Sequence, residues 1–334
     1  MKLSYAQNLE DYHLSLLFAG EPEGTYVDVG GGHPVADNVS FYFYLMGWRG
    51  LIVEPQRKLA DIYAHVRPRD HTVSMLAGAK DGDIDFHTVD KLHGFSTSVQ
   101  ENASAARAFG VGYTTKKMPV RRLSTLLDDA KISKIDFLKI DVEGAEADVL
   151  AGIDWSRHRP RVIVVEAVEP GSMADASAKW EGLITGQGYA FAFFDNLNRF
   201  YVADEAAHLK SRFPAKPAAW DHVAHLWDCG QAATAPAHPD HALARTLVAG
   251  FLACLPSLDP GLVRCLVERG AAETKQSFEG ADCCELLIGS MEYPGSAEAN
   301  AKLPTDVDAL IGTDRFRAAL GRIACMYDGG HLME

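Results

Sequence analysis

Between residues 25 and 203, short apolar runs alternate with stretches of helical periodicity, the order that a wound parallel sheet requires. The runs are Tyr26-Val-Asp-Val29, Leu51-Ile-Val53, Thr72-Val-Ser-Met-Leu76, Ile135-Asp-Phe-Leu-Lys-Ile140 and Arg161-Val-Ile-Val-Val165. Each is nearly continuous in apolar residues, as strands covered on both faces by helices are. Residues 39–46, 59–66, 146–151 and 173–185 carry the helical patterns between them. After Gly188 two apolar runs, 189–194 and 200–202, are joined by Asp195-Asn-Leu-Asn198, too short for a crossover helix. They predict an antiparallel hairpin that closes the sheet edge. The expected fold class is therefore α/β, a Rossmann-like, mostly parallel sheet with an antiparallel closing hairpin. Ligands bind such a sheet in the crevice at the carboxyl ends of its strands.

Residues 83–88 alternate apolar and polar, and 118–120 form another short extended piece; the Gly- and Ser-containing loop between them, 93–115, is long enough for a lid. Pro214, Pro217 and an Ala/Pro/His run at 232–239 mark a boundary. The expected organisation is a first domain over 1–225, a linker over 226–240 and a helical accessory domain over 241–334, with helical patterns at 242–255, 261–269, 284–290 and 316–326.

Composition narrows the function. Of 334 residues, 47% are hydrophobic and 23% charged, an ordinary globular balance. Lys and Arg number 32 against 45 Asp and Glu, a net charge of −13 that repels phosphate backbones and anionic lipid. The expected partners are a small-molecule or glycan acceptor and, by self-association, a second copy of the chain, with no nucleic acid and no membrane insertion. No apolar run approaches the roughly 18 residues of a membrane helix, and the acidic start lacks a signal-peptide core, so the expected location is cytoplasmic. All six cysteines lie beyond Trp227 without Cys-x-x-Cys spacing, which suits buried apolar thiols rather than disulfides or zinc.

The strongest chemical signal is Asp28-Val-Gly30-Gly-Gly32-His33-Pro34, directly after a predicted strand. Glycines at a strand-to-helix turn let a cofactor approach the backbone. An acidic-x-Gly-x-Gly spacing suits S-adenosylmethionine, because the strand-end carboxylate can engage the cationic amino-acid end. A dinucleotide site would want glycine where Val35 stands. Glu54 ends the second strand, 24 residues past Gly30, where an acidic side chain accepts both ribose hydroxyls of an adenosine. Asp81-Gly82, after the third strand, fits the adenine edge or a plain turn. Asp141, Glu143 and Glu146 follow the fourth strand, and Glu166 and Glu169 the fifth. These carboxylates could hold Mg²⁺, serve as bases and acceptors for sugar hydroxyls, or complement a helix dipole. His33, in the glycine turn, is placed to take a proton from an attacking hydroxyl, with His93 a weaker candidate. Asp37 fits a helix N-cap.

Together these residues resemble the FkbM family of S-adenosylmethionine-dependent methyltransferases. The resemblance runs from Tyr5 to about Val223, carried by Tyr5-Ala-Gln7-Asn-Leu-Glu10-Asp11, Val27-Asp28-Val-Gly30, Gly47-Trp48-Arg-Gly50, Glu54-Pro55 and Phe95-Ser96-Thr97. It continues through Ile135-Asp-Phe-Leu-Lys-Ile-Asp141-Val-Glu143-Gly-Ala-Glu146, Arg159-Pro-Arg-Val-Ile-Val-Val-Glu166 and Asp195-Asn-Leu-Asn198-Arg199-Phe-Tyr201. It implies a class I methyltransferase fold and O-methylation of a sugar, glycan or secondary metabolite. It also implies cofactor contacts at Gln7, Glu10, Asp28, Gly30, Gly32, Glu54 and Asp141. His33, Asp141 and Glu166 are the expected groups for proton removal or, for the two carboxylates, metal-assisted activation. Ser96, Thr97, Asn198 and Arg199 are the expected acceptor-site lining. One departure is Gly31-Gly32, where similar sequences carry Ala-Asn; another is Asn196 in place of a hairpin glycine. The alternatives are an inactive methyltransferase-like binding protein and an NAD-linked oxidoreductase, the latter disfavoured by Val35 and the closing hairpin.

Overall fold

The computed structural model describes residues 3–89, 96–105, 111–169, 174–217, 222–274, 306–324 and 327. The chain divides into two units, Met1–Asp228 and Cys229–Glu334. His93, the predicted helix at 284–290, and Cys283, Cys284 and Cys325 lie outside the described residues. Among the described residues no helix is long and apolar enough to cross a membrane.

The first unit is a mixed α/β structure. Its central seven-stranded sheet uses β2 (Thr25–Val29), β3 (Arg49–Val53), β4 (His71–Val73), β8 (Phe137–Ile140), β9 (Val162–Glu166), β10 (Tyr189–Phe194) and β11 (Asn198–Ala203). They lie in the order β10-β11-β9-β8-β2-β3-β4. Neighbours from β9 to β4 pair in parallel, whereas β11 is antiparallel to both β9 and β10. Val27, Leu51, Leu138, Ile163 and Val164 are completely buried, which is why these strands read as unbroken apolar runs. The hairpin turn is set by Asp195, whose Oδ1 accepts from the amides of Leu197 (2.9 Å) and Asn198 (2.6 Å), while Asn196 takes the left-handed conformation at φ +83°.

Helices α1 (Glu10–Leu17), α2 (Phe41–Leu45), α3 (Arg57–Val66), α5 (Leu123–Asp129), α6 (Glu146–Ala151) and α7 (Glu181–Thr185) accompany the sheet. Two are shorter than predicted. Asp37 caps none: α2 starts four residues later, and Asp37, left-handed at φ +52°, accepts instead from the Trp227 indole. Among the described residues of the predicted helix over 173–185, only α7 is α-helical, because Asp175 bridges back to Val168 in β fashion.

The run at 72–76 does not form one strand. It ends at Val73 in the main sheet, Ser74 turns aside to donate to the Pro55 carbonyl (3.1 Å), and β5 (Leu76–Gly78) enters a second sheet. There β7 (Tyr113–Arg122) lies between β5 and β6 (Gly82–Val89). The expected loop at 93–115 therefore includes the start of β7 and a short helix, α4 (Gln100–Ala105). At the rim of the unit, β1 (Leu3–Ser4) pairs in parallel with β12 (Ala224–His225).

Arg67, with a fully buried side chain, ties the sheet to the chain that follows β2. It pairs with Asp70 (2.7 Å) and donates to Asn38 Oδ1 (2.8 Å), Ser40 Oγ (2.9 Å) and the Pro34 carbonyl (3.2 Å), among the rings of Tyr26, Phe41, Tyr44 and Tyr63. A buried cation is tolerated only with such complete pairing.

The second unit contains α8 (His241–Cys254), α9 (Pro260–Thr274), α10 (Val307–Ile311) and α11 (Asp314–Ala324). Its small apolar cluster is built on Val263, Leu310 and Phe316. Cys254 and Cys265 carry free thiols.

Candidate active site

The strand order reverses beside β2. The chain runs from β2 outward to β3 and β4, then returns to the other side of β2 to lay down β8 and β9. Loops diverge at such a point and leave a crevice at the carboxyl ends of the strands. A cavity of about 800 Å³ opens there, lined by Gln7, Gly30, Gly31, Gly32, His33, Glu54, Ser96, Lys139, Asp141, Glu143 and Glu166 among others.

The glycine turn forms its floor. Gly30 is left-handed at φ +81° and donates to the Val53 carbonyl (2.9 Å); a Cβ on it would lie 1.7 Å from the Asp141 carbonyl oxygen. Gly31 is packed from below: its carbonyl accepts from Tyr63 Oη (2.7 Å) and Asn38 Nδ2 (2.8 Å), and a Cβ would meet Ile52 Cγ2 at 2.6 Å. Glycine at 31 thus matches the isoleucine and tyrosine side chains packed beneath it. Above Gly32 the space is open, with no atom within 4 Å of a built Cβ.

Glu54 is 2% exposed. Its Oε2 accepts from the Gly32 amide (2.8 Å) and its Oε1 from the Gln56 amide (2.7 Å), leaving further lone pairs on each oxygen. Burial, only partly offset by those amides and Lys139, pushes its pKa up to about 7. Asp28 is not on the cavity wall. It lies beneath the turn, where Oδ2 accepts from Ser40 Oγ (2.6 Å) and Oδ1 has no hydrogen-bond partner but stands 3.7 Å from the Lys139 ammonium.

Lys139 was not singled out by the sequence. Its Nζ donates to the Gly30 carbonyl (3.0 Å) and pairs with Asp141 Oδ2 (3.1 Å). Burial opposes the charge, but Asp141, Asp28 and Glu10 outweigh it and hold the pKa above the ordinary value. The available signal was a lone cation between Leu138 and Ile140 in a strand covered on both faces, a position that demands anionic partners.

Beyond Lys139 the acidic side chains gather. Asp141, Glu143 and Glu166 each bring one carboxylate oxygen within 4.8 Å of the others. Burial first, then the charge of Asp141, raises Glu166 to about 11 and Glu143 to about 9. Glu143 is itself left-handed at φ +56°, and its carbonyl accepts from Thr97 Oγ1 (2.8 Å) and Asn102 Nδ2 (2.7 Å). Glu146 stays off the wall and accepts from the amides of Val142 (3.3 Å) and Gly144 (3.0 Å), organising the loop before α6.

Several expected site residues take other roles. Thr97 is fully buried and supports Glu143 from behind, whereas Ser96 does reach the cavity. Glu10 and Asn198 bond each other (2.7 Å) off the wall; burial and the charge of Asp195 raise Glu10 to about 8. Arg199 turns to the other side of β11 and pairs with Asp175 (2.9 Å) and Glu181 (3.0 Å). His33 lines the cavity, but its Nδ1 accepts from the amides of Val35 (3.2 Å) and Ala36 (3.1 Å). With Nδ1 committed as an acceptor the ring proton belongs on Nε2, which suits a turn-holding role better than that of a base. Asp81 lines the cavity, as expected of a neighbour of the adenine edge, and Val168, Leu197, Ile84 and Phe86, not foreseen, line it too.

Residues 28–191 match the model of the Methyltransferase FkbM domain, so the first unit carries a methyltransferase domain. That domain places the first unit in the FkbM methyltransferase family. Among solved structures it is similar to a methyltransferase FkbM from Methylobacillus flagellatus KT, at 14% identity and a TM-score of 0.33. That match covers 58% of this chain and half of the other one. No curated protein matches the chain.

Proposed function

We propose that this protein transfers a methyl group from S-adenosylmethionine to a hydroxyl oxygen of a sugar, glycan or secondary-metabolite acceptor in the cytoplasm, and that its sheet is that of a class I methyltransferase. The observation that carries this reading is the convergence of the Gly30–Gly32 turn, Glu54 and Asp141 on one cavity at the strand-order reversal. The antiparallel strand β11, inserted between β9 and the edge strand β10, supports the class I arrangement.

The residues present fit the cofactor. Glu54 uses one lone pair of each oxygen on backbone amides, so a ribose diol can donate to the others. The open space above Gly32 admits a ligand against the backbone. Asp28 and Asp141 share one ammonium, Lys139, which leaves a negative surplus for the cationic amino-acid end. When bound, S-adenosylmethionine would supply the methyl group on its sulfonium. The chain's part is to align acceptor and methyl and to take up the hydroxyl proton, a role for Asp141; Glu166, which holds its own proton in the ligand-free chain, would orient the hydroxyl rather than deprotonate it. Asp141, Glu143 and Glu166 offer the all-oxygen donor set of a hard cation such as Mg²⁺, which would polarise the acceptor hydroxyl.

The test is calorimetric titration with S-adenosylhomocysteine. Micromolar binding that Glu54→Ala loses supports the reading, and absence of binding by the intact chain overturns it.

A further inference from the structure

We propose that Lys139 is a positioning residue of this site: one buried ammonium grips the Gly30 carbonyl and the Asp141 carboxylate, and so sets the cofactor cradle and its acidic neighbour as a single piece. The proposal rests on the methyltransferase reading above and assigns a role within that site.

Two hydrogen-bond directions of the ammonium are used, on Gly30 O at 3.0 Å and Asp141 Oδ2 at 3.1 Å; the third faces Asp28 Oδ1 at 3.7 Å, an atom with no other partner. These groups belong to the two strands that part at the strand-order reversal, β2 and β8. Holding the Gly30 carbonyl fixes the left-handed turn from its carbonyl side, while the Gly30 amide is fixed by Val53. The turn so fixed delivers the Gly32 amide to Glu54. Lys139 therefore links Asp141 through the glycine turn to Glu54, across both sides of the cleft. Were the ion pairs present for stability alone, apolar side chains in place of both Lys139 and its acidic partners would serve as well or better. Its side chain is 8% exposed and borders the cavity, within reach of a small amine entering from solvent.

The experiment is a double-mutant cycle on the full chain, with Lys139→Met and Asp141→Asn made singly and together, S-adenosylhomocysteine as the probe, and a thermal melt for each variant. Each single change should weaken binding by about tenfold or more, the equivalent of one hydrogen bond to a charged group. The double variant should bind within about twofold of the weaker single, because both changes break one link. Lys139→Ala should regain affinity in ethylammonium chloride and not in sodium chloride, an effect that a purely structural lysine would not show. If Lys139→Met melts without cooperativity, Lys139→Gln, which keeps a donor for Gly30, takes its place in the cycle. Undiminished binding by the folded lysine variant, or losses that multiply in the double, would overturn the proposal while leaving the function intact. A wild-type chain that binds no S-adenosylhomocysteine removes both.

Discussion

Replacing Glu54 by Gln changes one atom of a carboxylate whose two oxygens both receive backbone amides, from Gly32 at 2.8 Å and Gln56 at 2.7 Å. Whichever way the new amide turns, its NH₂ faces one of those N–H groups and one bond becomes a repulsive contact. The same turn removes an acceptor from the ribose diol. Losing one hydrogen bond to a charged group costs about 1.5–3 kcal/mol, so affinity for S-adenosylhomocysteine should fall about ten- to hundredfold. The acid–base state supplies an independent check. With Glu54 raised to about 7 by burial, the wild-type carboxylate is mostly protonated at pH 6 and mostly ionised at pH 8. If the ionised form binds, affinity should be about tenfold weaker at pH 6 than at pH 8. Gln does not titrate, so the variant should show no such slope. Calorimetry at pH 6, 7 and 8 on both chains reads all of this. A variant that binds within twofold of wild type, or a wild-type affinity flat across that range, would refute the role assigned to Glu54.

The other expectations concern stability and packing. Gly31→Ala places a methyl 2.6 Å from Ile52 Cγ2 and 2.8 Å from the Tyr63 hydroxyl, and should cost about 1–3 kcal/mol by urea titration; no loss would mean that the floor of the turn is looser than described. Arg67→Met strips the partner from buried Asp70 and from the Asn38 and Ser40 side chains, a loss of about 3–5 kcal/mol measurable by the same titration. Glu143 and Glu166, raised to about 9 and 11, retain protons in the folded chain that the unfolded chain releases near its ordinary carboxylate range. Their contribution is therefore most favourable in acid and declines as pH rises, so the melting temperature of the ligand-free protein should fall between pH 6 and 9. Glu166→Gln should flatten that decline; an unchanged slope would count against the crowding of these carboxylates.

The central strands were legible because complete burial leaves a plain mark, an apolar run between turns. Gly30, Glu54 and Asp141 were legible for a related reason, since a strand's carboxyl end fixes where the next residue can stand. The run at 72–76 was not, because an apolar run does not say which of two sheets receives it. Asn198 and Thr97 carry the polar character expected of acceptor-site residues, yet their hydrogen bonds go to Glu10, 188 residues away, and to Glu143, 46 residues away. Such long-range pairing leaves no local pattern. The left-handed backbone at Glu143 and the buried charge of Lys139 are likewise products of tertiary crowding, visible only once the strands stand side by side.

The short pairing of Leu3–Ser4 with Ala224–His225 brings the two ends of the first unit together, so that its polypeptide nearly closes into a ring. Ser4 reinforces the seam by donating to Asp11 (2.6 Å), and His225 by its contact with the Ala6 carbonyl (3.1 Å). Gln7, one residue beyond that contact, lines the cavity. A chain rejoined at the seam and reopened at an exposed turn would keep every strand neighbour it now has. Its weakest point would be the seam itself, where a few bonds decide whether Gln7 stays in the wall.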